Sequence, residues 1–380
     1  MTEKLYYRDA YIKEFSATVL SCEMVEGGYL TVLDKTAFFP EEGGQYADTG
    51  VIGSIAVTDA REVGGIIYHK TNEPIAVGSE VKCELDFTAR FEKMQCHTAE
   101  HILSGVLHRL YGVDNVGFHL GAEEITLDVS RPLSWDELMR AEEIVNRAIF
   151  ENIEITAVYP APDELPSLEY RSKLDLTENV RIINIGDYDS CACCAPHVKY
   201  TGEIGSIKIL DAVKMRGGMR ITIIAGARAF RYVRAAFENL FAISRALSAP
   251  RLEAADAVTR LLASAEEYKS EIKALKIKAV VSEAEKIVYT GGNLVHFFAD
   301  ADYDAMRAAV NLLSDKVDGT LLLLSGTDGS YKYVILKKGA DMRSDIKPIN
   351  AALSGRGGGN GDFAQGTFSA TSDDIRAFFK

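Results

Sequence analysis

Short apolar runs broken by turn residues fill the first part of the chain, as in VLSCEMVEGGYLTVLDKTAFF and GVIGSIAVTDAREVGGIIYHK, and this grammar predicts a small antiparallel β domain over residues 1–90. The period then changes to that of a helix over residues 91–112. Ile102, Leu103, Val106, Leu107 and Leu110 make its apolar stripe, and Gly112 is its stop. A second helix is expected over residues 135–150, because Ser134 and Glu137 have the spacing of a capping box. Residues 153–224 read as strands and turns, which makes residues 91–235 an α+β unit.

Residues 236–287 are helical in pattern, with one break at Pro250. Val258, Ala265, Ile272 and Ala279 share one heptad position, and Leu261, Tyr268 and Leu275 share the other. That stripe fits a helical hairpin, a homodimer through a coiled coil, or an amphipathic spacer packed on its own chain. Residues 288–380 have the grammar of a small α/β domain: strands at LVHFF, TLLLLS and YKYVIL, a helix near residues 303–313, a glycine-rich stretch GRGGGNGDFAQG, and a last short helix. The class predicted for the whole chain is therefore α+β, in four segments (1–90, 91–235, 236–287 and 288–380).

Composition narrows the function classes. The chain has 380 residues, more than one typical core holds, and 47% hydrophobic with 26% charged residues is ordinary for a globular protein. Neither a signal peptide nor an apolar run of membrane-spanning length is evident, so a cytoplasmic protein is expected. Three of the six cysteines crowd together as Cys191, Cys193 and Cys194, a pattern of metal or thiol chemistry rather than a disulfide framework.

A net charge of −13 argues against a surface that coats itself with nucleic acid. A local patch remains open, since between Lys199 and Arg234 the residues Lys199, Lys208, Lys214, Arg216, Arg220, Arg228, Arg231 and Arg234 face only Glu203 and Asp211 in sequence. A solvated face without a partner explains the same run.

The strongest chemical signal is HTAEH. His97 and His101 are four apart on a predicted helix, so both imidazoles project from one face and can reach one ion. Cys193 and His197 in CCAPH form a second half-site, on a turn because of Pro196. Two imidazoles, a thiolate and a third imidazole suit zinc. Core histidines with inert thiols would be the bland explanation. A closed, purely structural tetrahedral site would be another, since four protein donors leave no open position. HTAEH also matches H-x-x-E-H, a zinc-peptidase pattern with Glu100 as general base, but that reading leaves the second half-site unexplained.

Four segments taken together resemble the AlaX editing proteins related to alanyl-tRNA synthetase, in their long form. These are FFPEEGGQYADTG, RFEKMQCHTAEHIL, CCAPHVKYTGEIGSIKI and KMRGGMRITIIAG, in that order, and GRGGGNGDFAQG resembles the glycine-rich motif of the C-terminal domain of the synthetases. The resemblance implies zinc at His97, His101, Cys193 and His197, and hydrolysis in trans of alanine tRNA mischarged with serine or glycine. It also places Gln45 of the Gly-Gly-Gln element beside the acceptor end, so Gln45, His97 and His101 are the expected catalytic groups. Without an aminoacylation segment, the synthetase itself is not expected.

The usual Cys-Gly-Gly-Thr-His is here Cys193, Cys194, Ala195, Pro196 and His197, a change that bears on which amino acid is removed. His119, in the segment after the zinc helix, is a candidate for that selection. Transfer-RNA contacts are expected from Lys214, Arg216, Arg220, Arg356, Gly357 and Gly358, with the last two in a loop able to cradle phosphate through its N–H groups. A zinc-stapled tRNA-binding protein without turnover is the non-enzymatic alternative.

Overall fold

The computed structural model describes residues 1–172 and 180–380. The part of the expected 153–224 strand region that falls on residues 173–179 lies outside the described residues. The chain divides into two compact units, Met1–Leu240 and Phe241–Lys380.

In the first unit, β1 (Glu3–Lys4), β2 (Glu14–Val25), β3 (Gly28–Leu33), β4 (Lys35–Thr36), β5 (Gly50–Ile52), β6 (Ile55–Val63), β7 (Ile66–Thr71) and β8 (Glu80–Leu85) precede the first α-helix. Strands β2, β3, β7, β6, β5 and β8 close into an antiparallel barrel, with β2 paired to both β3 and β8. Alternate residues such as Ala17, Val19, Leu33, Ile52, Val57, Cys83 and Leu85 fill it. His69 lies in this interior, accepting from the Thr36 hydroxyl at Nε2 (2.9 Å) and donating from Nδ1 to the Thr31 carbonyl (3.1 Å).

Helix α1 (Phe87–Tyr111) starts on Asp86, whose carboxylate accepts from the Ala89 N–H, and stops at Gly112 in the left-handed region. Its expected apolar stripe is buried. So are the polar side chains of Arg90, His97, Thr98, Glu100, His101 and Ser104, and a polar residue is stable there only with partners. Arg90 is fully buried and bonds to the Asp48 carboxylate and to the carbonyls of Ala10 and Ala37, tying α1 to the barrel.

Strands β9 (Asn115–Leu120) and β10 (Ile125–Val129) follow, then α2 (Trp135–Glu151), with the capping box of Ser134 and Glu137 formed as expected. Next come β11 (Ile155–Val158), β12 (Ile182–Ile185) and β13 (Asp189–Ala192), which form a small antiparallel sheet, and β14 (Ile207–Met215) with β15 (Gly218–Ala225), which make a sheet of order β14-β15-β10-β9. Helices α1 and α2 bury their apolar faces with this sheet in one core that includes Leu103, Val106, Leu127, Val145, Ile221 and Ile223. Helix α3 (Gly226–Leu247) begins ten residues earlier than the periodicity predicts.

In the second unit, α4 (Ala254–Ala284) leaves Leu261, Tyr268, Ile272 and Leu275 of the heptad stripe exposed. Strand β16 (Leu294–Phe298), helix α5 (Tyr303–Leu313), β17 (Leu321–Thr327) and β18 (Ser330–Leu336) lie where the sequence places them. Helix α6 (Met342–Ala352), β19 (Arg356–Asn360), β20 (Phe363–Phe368) and α7 (Ser372–Phe378) complete the chain. The sheet order is β16-β17-β18-β20-β19, with only β16 and β17 parallel. The glycine-rich stretch is an edge hairpin rather than the expected loop: Gly357 pairs with Gly366, and a Cβ there would meet the Gln365 carbonyl and the Tyr333 hydroxyl at 2.4 Å. Among the described residues no helix is long and apolar enough to cross a membrane.

Candidate metal centre

The two half-sites converge. Donor atoms of His97, His101, Cys193 and His197 all lie within 4.8 Å of one another, although the helix and the turn that carry them are nearly a hundred residues apart. Cys193 Sγ stands 3.6 Å from His97 Nε2 and 3.4 Å from His197 Nε2. Donors around one tetrahedral zinc ion, at ~2.1 Å for nitrogen and ~2.3 Å for sulfur, stand about 3.5 Å apart, so the spacing fits.

What aims the rings is a set of partners behind them. His97 Nδ1 meets Gln45 Oε1 at 2.9 Å, His101 Nδ1 meets Asp189 Oδ2 at 3.0 Å, and His197 Nδ1 meets the Thr98 hydroxyl at 3.0 Å. With every Nδ1 engaged, each imidazole has its Nε2 left for the common centre, the arrangement that outer partners of metal-bound histidines provide. Asp189 is held in turn by Arg171, whose Nε donates to Oδ1 at 2.7 Å.

The turn carrying Cys193 and His197 is also pinned. Arg181 donates to the carbonyls of Cys193 (2.9 Å) and Ala195 (2.8 Å), and the Ala195 N–H donates to Cys193 Sγ at 3.4 Å. Ala195 sits fully buried beside Tyr6, Phe39, Ala47 and Ile67, in space that the departure from the usual glycine fills with a methyl group.

Electrostatics agree with a metal-ligating thiolate. Burial alone would raise the Cys193 thiol, but His97, His101 and His197 around it hold it well below the usual thiol range. Burial takes His197 down to about 3, against the raising effect of the neighbouring Cys193. Burial also disfavours charge on His101, yet Cys193, Cys191 and the Asp189 carboxylate raise it above its ordinary value. Cys194 is driven the other way, upward, by burial and by the nearby Cys193 and Glu42, and lies outside the converging set.

The centre forms part of the wall of a cavity of about 740 Å³, lined also by Tyr7, Phe118, Tyr159, Tyr170, Arg171 and Arg181. Gln45 is fully buried, not on the cavity wall, and its Nε2 has no partner among the described residues. The turn before it needs its glycines: Gly43 and Gly44 have φ of 61° and 82°, and a Cβ on Gly44 would lie 2.4 Å from the Phe118 carbonyl.

The remaining candidates are dispersed. His119 is exposed, with Nε2 3.4 Å from the Tyr46 hydroxyl, and does not line the cavity; its neighbour Phe118 does, packed on His97 at 4.8 Å between ring centroids. Lys214 and Arg216 are exposed at the β14–β15 hairpin. Arg220 is tied to Asp128 by two bonds of 2.7 Å. Acids from distant segments also meet Lys199 (Asp9), Lys208 (Glu142), and Arg228 and Arg231 (both Glu92), so folding removes most of the basic excess seen in the sequence. Arg356, Gly357 and Gly358 lie on the edge strand β19. Sequence reasoning missed Thr98, Asp189 and Arg171, for which no local motif exists.

Comparison with known proteins adds identity. Residues 180–221 match the threonyl and alanyl tRNA synthetase second additional domain, and residues 3–89 match the class II (A) tRNA synthetases. The chain is 32% identical to the alanyl-tRNA editing protein AlaX-L of Pyrococcus horikoshii, over 99% of this chain and 96% of that one. It is 30% identical to the alanine–tRNA ligase of Halorubrum lacusprofundi, over 96% of this chain but only 42% of the ligase. The solved C-Ala domain of Aquifex aeolicus alanyl-tRNA synthetase matches 24% of the chain with a TM-score of 0.21, a likeness too slight to carry an argument. With the relative from Pyrococcus covered almost end to end, this chain belongs to the alanyl-tRNA editing protein family in its AlaX-L form.

Proposed function

We propose that this protein deacylates alanine tRNA mischarged with serine or glycine, at a zinc ion held by His97, His101, Cys193 and His197. Family membership supports the aminoacyl-tRNA deacylase activity. The observation that carries the site is the convergence of three Nε2 atoms and one thiolate beside a cavity of about 740 Å³, a volume in the range of small-molecule sites. Zinc held there would supply a Lewis acid for the ester carbonyl.

The protein's own side chains orient the ligands and position the substrate. Gln45, Asp189 and Thr98 orient the imidazoles. Tyr7, Tyr159, Tyr170 and Phe118 offer aromatic surface for the terminal adenine, and Arg181, whose bonds are to neutral carbonyls, offers positive charge for the backbone behind it. Lys214, Arg216, Arg220 and Arg356, with the backbone of Gly357 and Gly358, are assigned to tRNA contacts further out. The exposed apolar stripe of α4, or alternatively the C-terminal domain, is assigned to a homodimer contact.

One observation favours a second reading. Four protein donors complete a tetrahedron, as in structural zinc sites, which would make this a zinc-stapled tRNA-binding protein without turnover. A zinc peptidase leaves the convergence of Cys193 and His197 unexplained. The deciding experiment charges alanine tRNA with serine, glycine or alanine and measures ester loss with wild-type protein and Cys193→Ala. Loss of serine or glycine well above the spontaneous rate, with alanine spared and the variant inactive, supports deacylation. Loss at the spontaneous rate throughout supports the binding protein.

A further inference from the structure

His97, Glu100, His101 and Ser104 occupy positions i, i+3, i+4 and i+7 of α1 and so share one helix face. The two histidines belong to the metal centre. Glu100 does not, yet it is 3% exposed and lines the same cavity.

Its surroundings hold one of its two oxygens. Glu100 Oε1 accepts from the Ser104 hydroxyl and from Asn115 Nδ2 (2.6 Å), and Asn115 Nδ2 also donates to the Ser104 oxygen at 3.3 Å. Both donors are neutral. Glu100 Oε2 has no hydrogen-bond partner among the described residues, and no ion pair to Glu100 occurs among them. The Arg171 guanidinium feels its field, but Arg171 is bonded to Asp189. A buried carboxylate with one oxygen braced and the other free beside a cavity is matched by a ligand that brings a cation to it.

An aminoacyl ester carries such a cation, its α-ammonium, two bonds from the carbonyl carbon. We infer that Glu100 Oε2 binds this ammonium, so that the site accepts aminoacyl ends with a free α-amine and excludes N-acylated ones, peptidyl chains included. An N-acyl group replaces the ammonium with a neutral amide and leaves Glu100 Oε2 with no charged group in contact. The inference rests on the proposed deacylation, which places an aminoacyl group in the cavity.

The test uses two stable adenosine conjugates in which the ester is replaced by a 3′-amide: a seryl conjugate with a free amine, and its N-acetyl form. Calorimetry is run with the full-length wild-type protein and with Glu100→Gln, each with its metal content measured. Glutamine keeps an acceptor for Ser104 and Asn115 but removes the charge. Wild type is expected to bind the free amine about 10–100-fold more tightly than the N-acetyl form, the range of a charge-assisted hydrogen bond, and Glu100→Gln to bind both alike.

Equal affinities in wild type would overturn the assignment. So would a preference that persists in Glu100→Gln, because the exclusion would then be steric. If seryl-tRNA is hydrolysed while both conjugates bind alike, only the assignment of Glu100 is lost. If neither conjugate binds and seryl-tRNA decays at its spontaneous rate, the deacylase reading falls and this inference falls with it.

Discussion

Gln45 Oε1 accepts from His97 Nδ1 at 2.9 Å, with both side chains buried. This contact links the turn of Gly43 and Gly44 to the metal-binding helix and gives the glutamine a positioning role towards the imidazole. Gln45→Ala should lower metal affinity and deacylation together, by about 10–100-fold. Gln45→Glu keeps an acceptor at the same place and should retain most of both. Competition with a chelating dye, alongside single-turnover deacylation, measures the two quantities. Wild-type values for the alanine variant would exclude the positioning role.

Stability should depend on pH through His69. Burial lowers this imidazole to about 4, against a slight raising by the Thr31 carbonyl, and its two hydrogen bonds suit the neutral ring. In the unfolded chain it takes up a proton near pH ~6.5. Between those values the unfolded chain binds more protons, so this contribution is complete above pH ~6.5 and is lost as the pH falls towards 4, up to about 3 kcal/mol. Urea unfolding at several pH values in this window should show a shallower decline for His69→Gln than for wild type. Parallel declines would contradict the assignment.

Arg90 and Asp48 form an ion pair with exposures of 0% and 1% between α1 and the segment after Gln45. Removing the guanidinium leaves Asp48 with the Phe39 N–H and with Lys93, 3.5 Å from Oδ1. Arg90→Met should destabilise the protein by about 3–5 kcal/mol, and adding Asp48→Asn should recover part of that loss. Denaturant midpoints of the single and double variants provide the comparison.

Transfer-RNA binding should separate the basic residues by their partners. Lys214 and Arg216 are exposed and have no ion pair among the described residues, whereas Arg220 is committed to Asp128. Lys214→Ala, Arg216→Ala and Arg356→Ala should each weaken binding and reduce the salt slope by about 1. Arg220→Ala should have the smallest effect. Filter binding across a salt series reads both quantities.

Much of this was legible in the sequence, and the gaps have physical causes. The capping box of α2, the Gly112 stop and the three long strand runs of the second unit are local signals, and each lies where the pattern predicts. The histidine and cysteine half-sites were legible because ligand spacing is itself local. Thr98, Asp189 and Arg171 were not, since His101 and Asp189 meet across 88 positions of chain that no periodicity connects. The pairing of the basic run was not legible because Glu92, Asp128 and Glu142, which bind members of it, lie far upstream. Helix α6 was hidden by Pro348 inside it, and β19 by glycines, which are poor strand formers but fit under the Tyr333 hydroxyl.

Zinc-edge X-ray absorption on the purified full-length protein, together with its metal stoichiometry, reads the central claim most directly. One zinc per chain is expected, with three nitrogen donors at ~2.0–2.1 Å and one sulfur at ~2.3 Å, the sulfur being lost in Cys193→Ala. Protein without bound metal, a shell of oxygen alone, or two sulfurs drawn from Cys191 or Cys194 would contradict it.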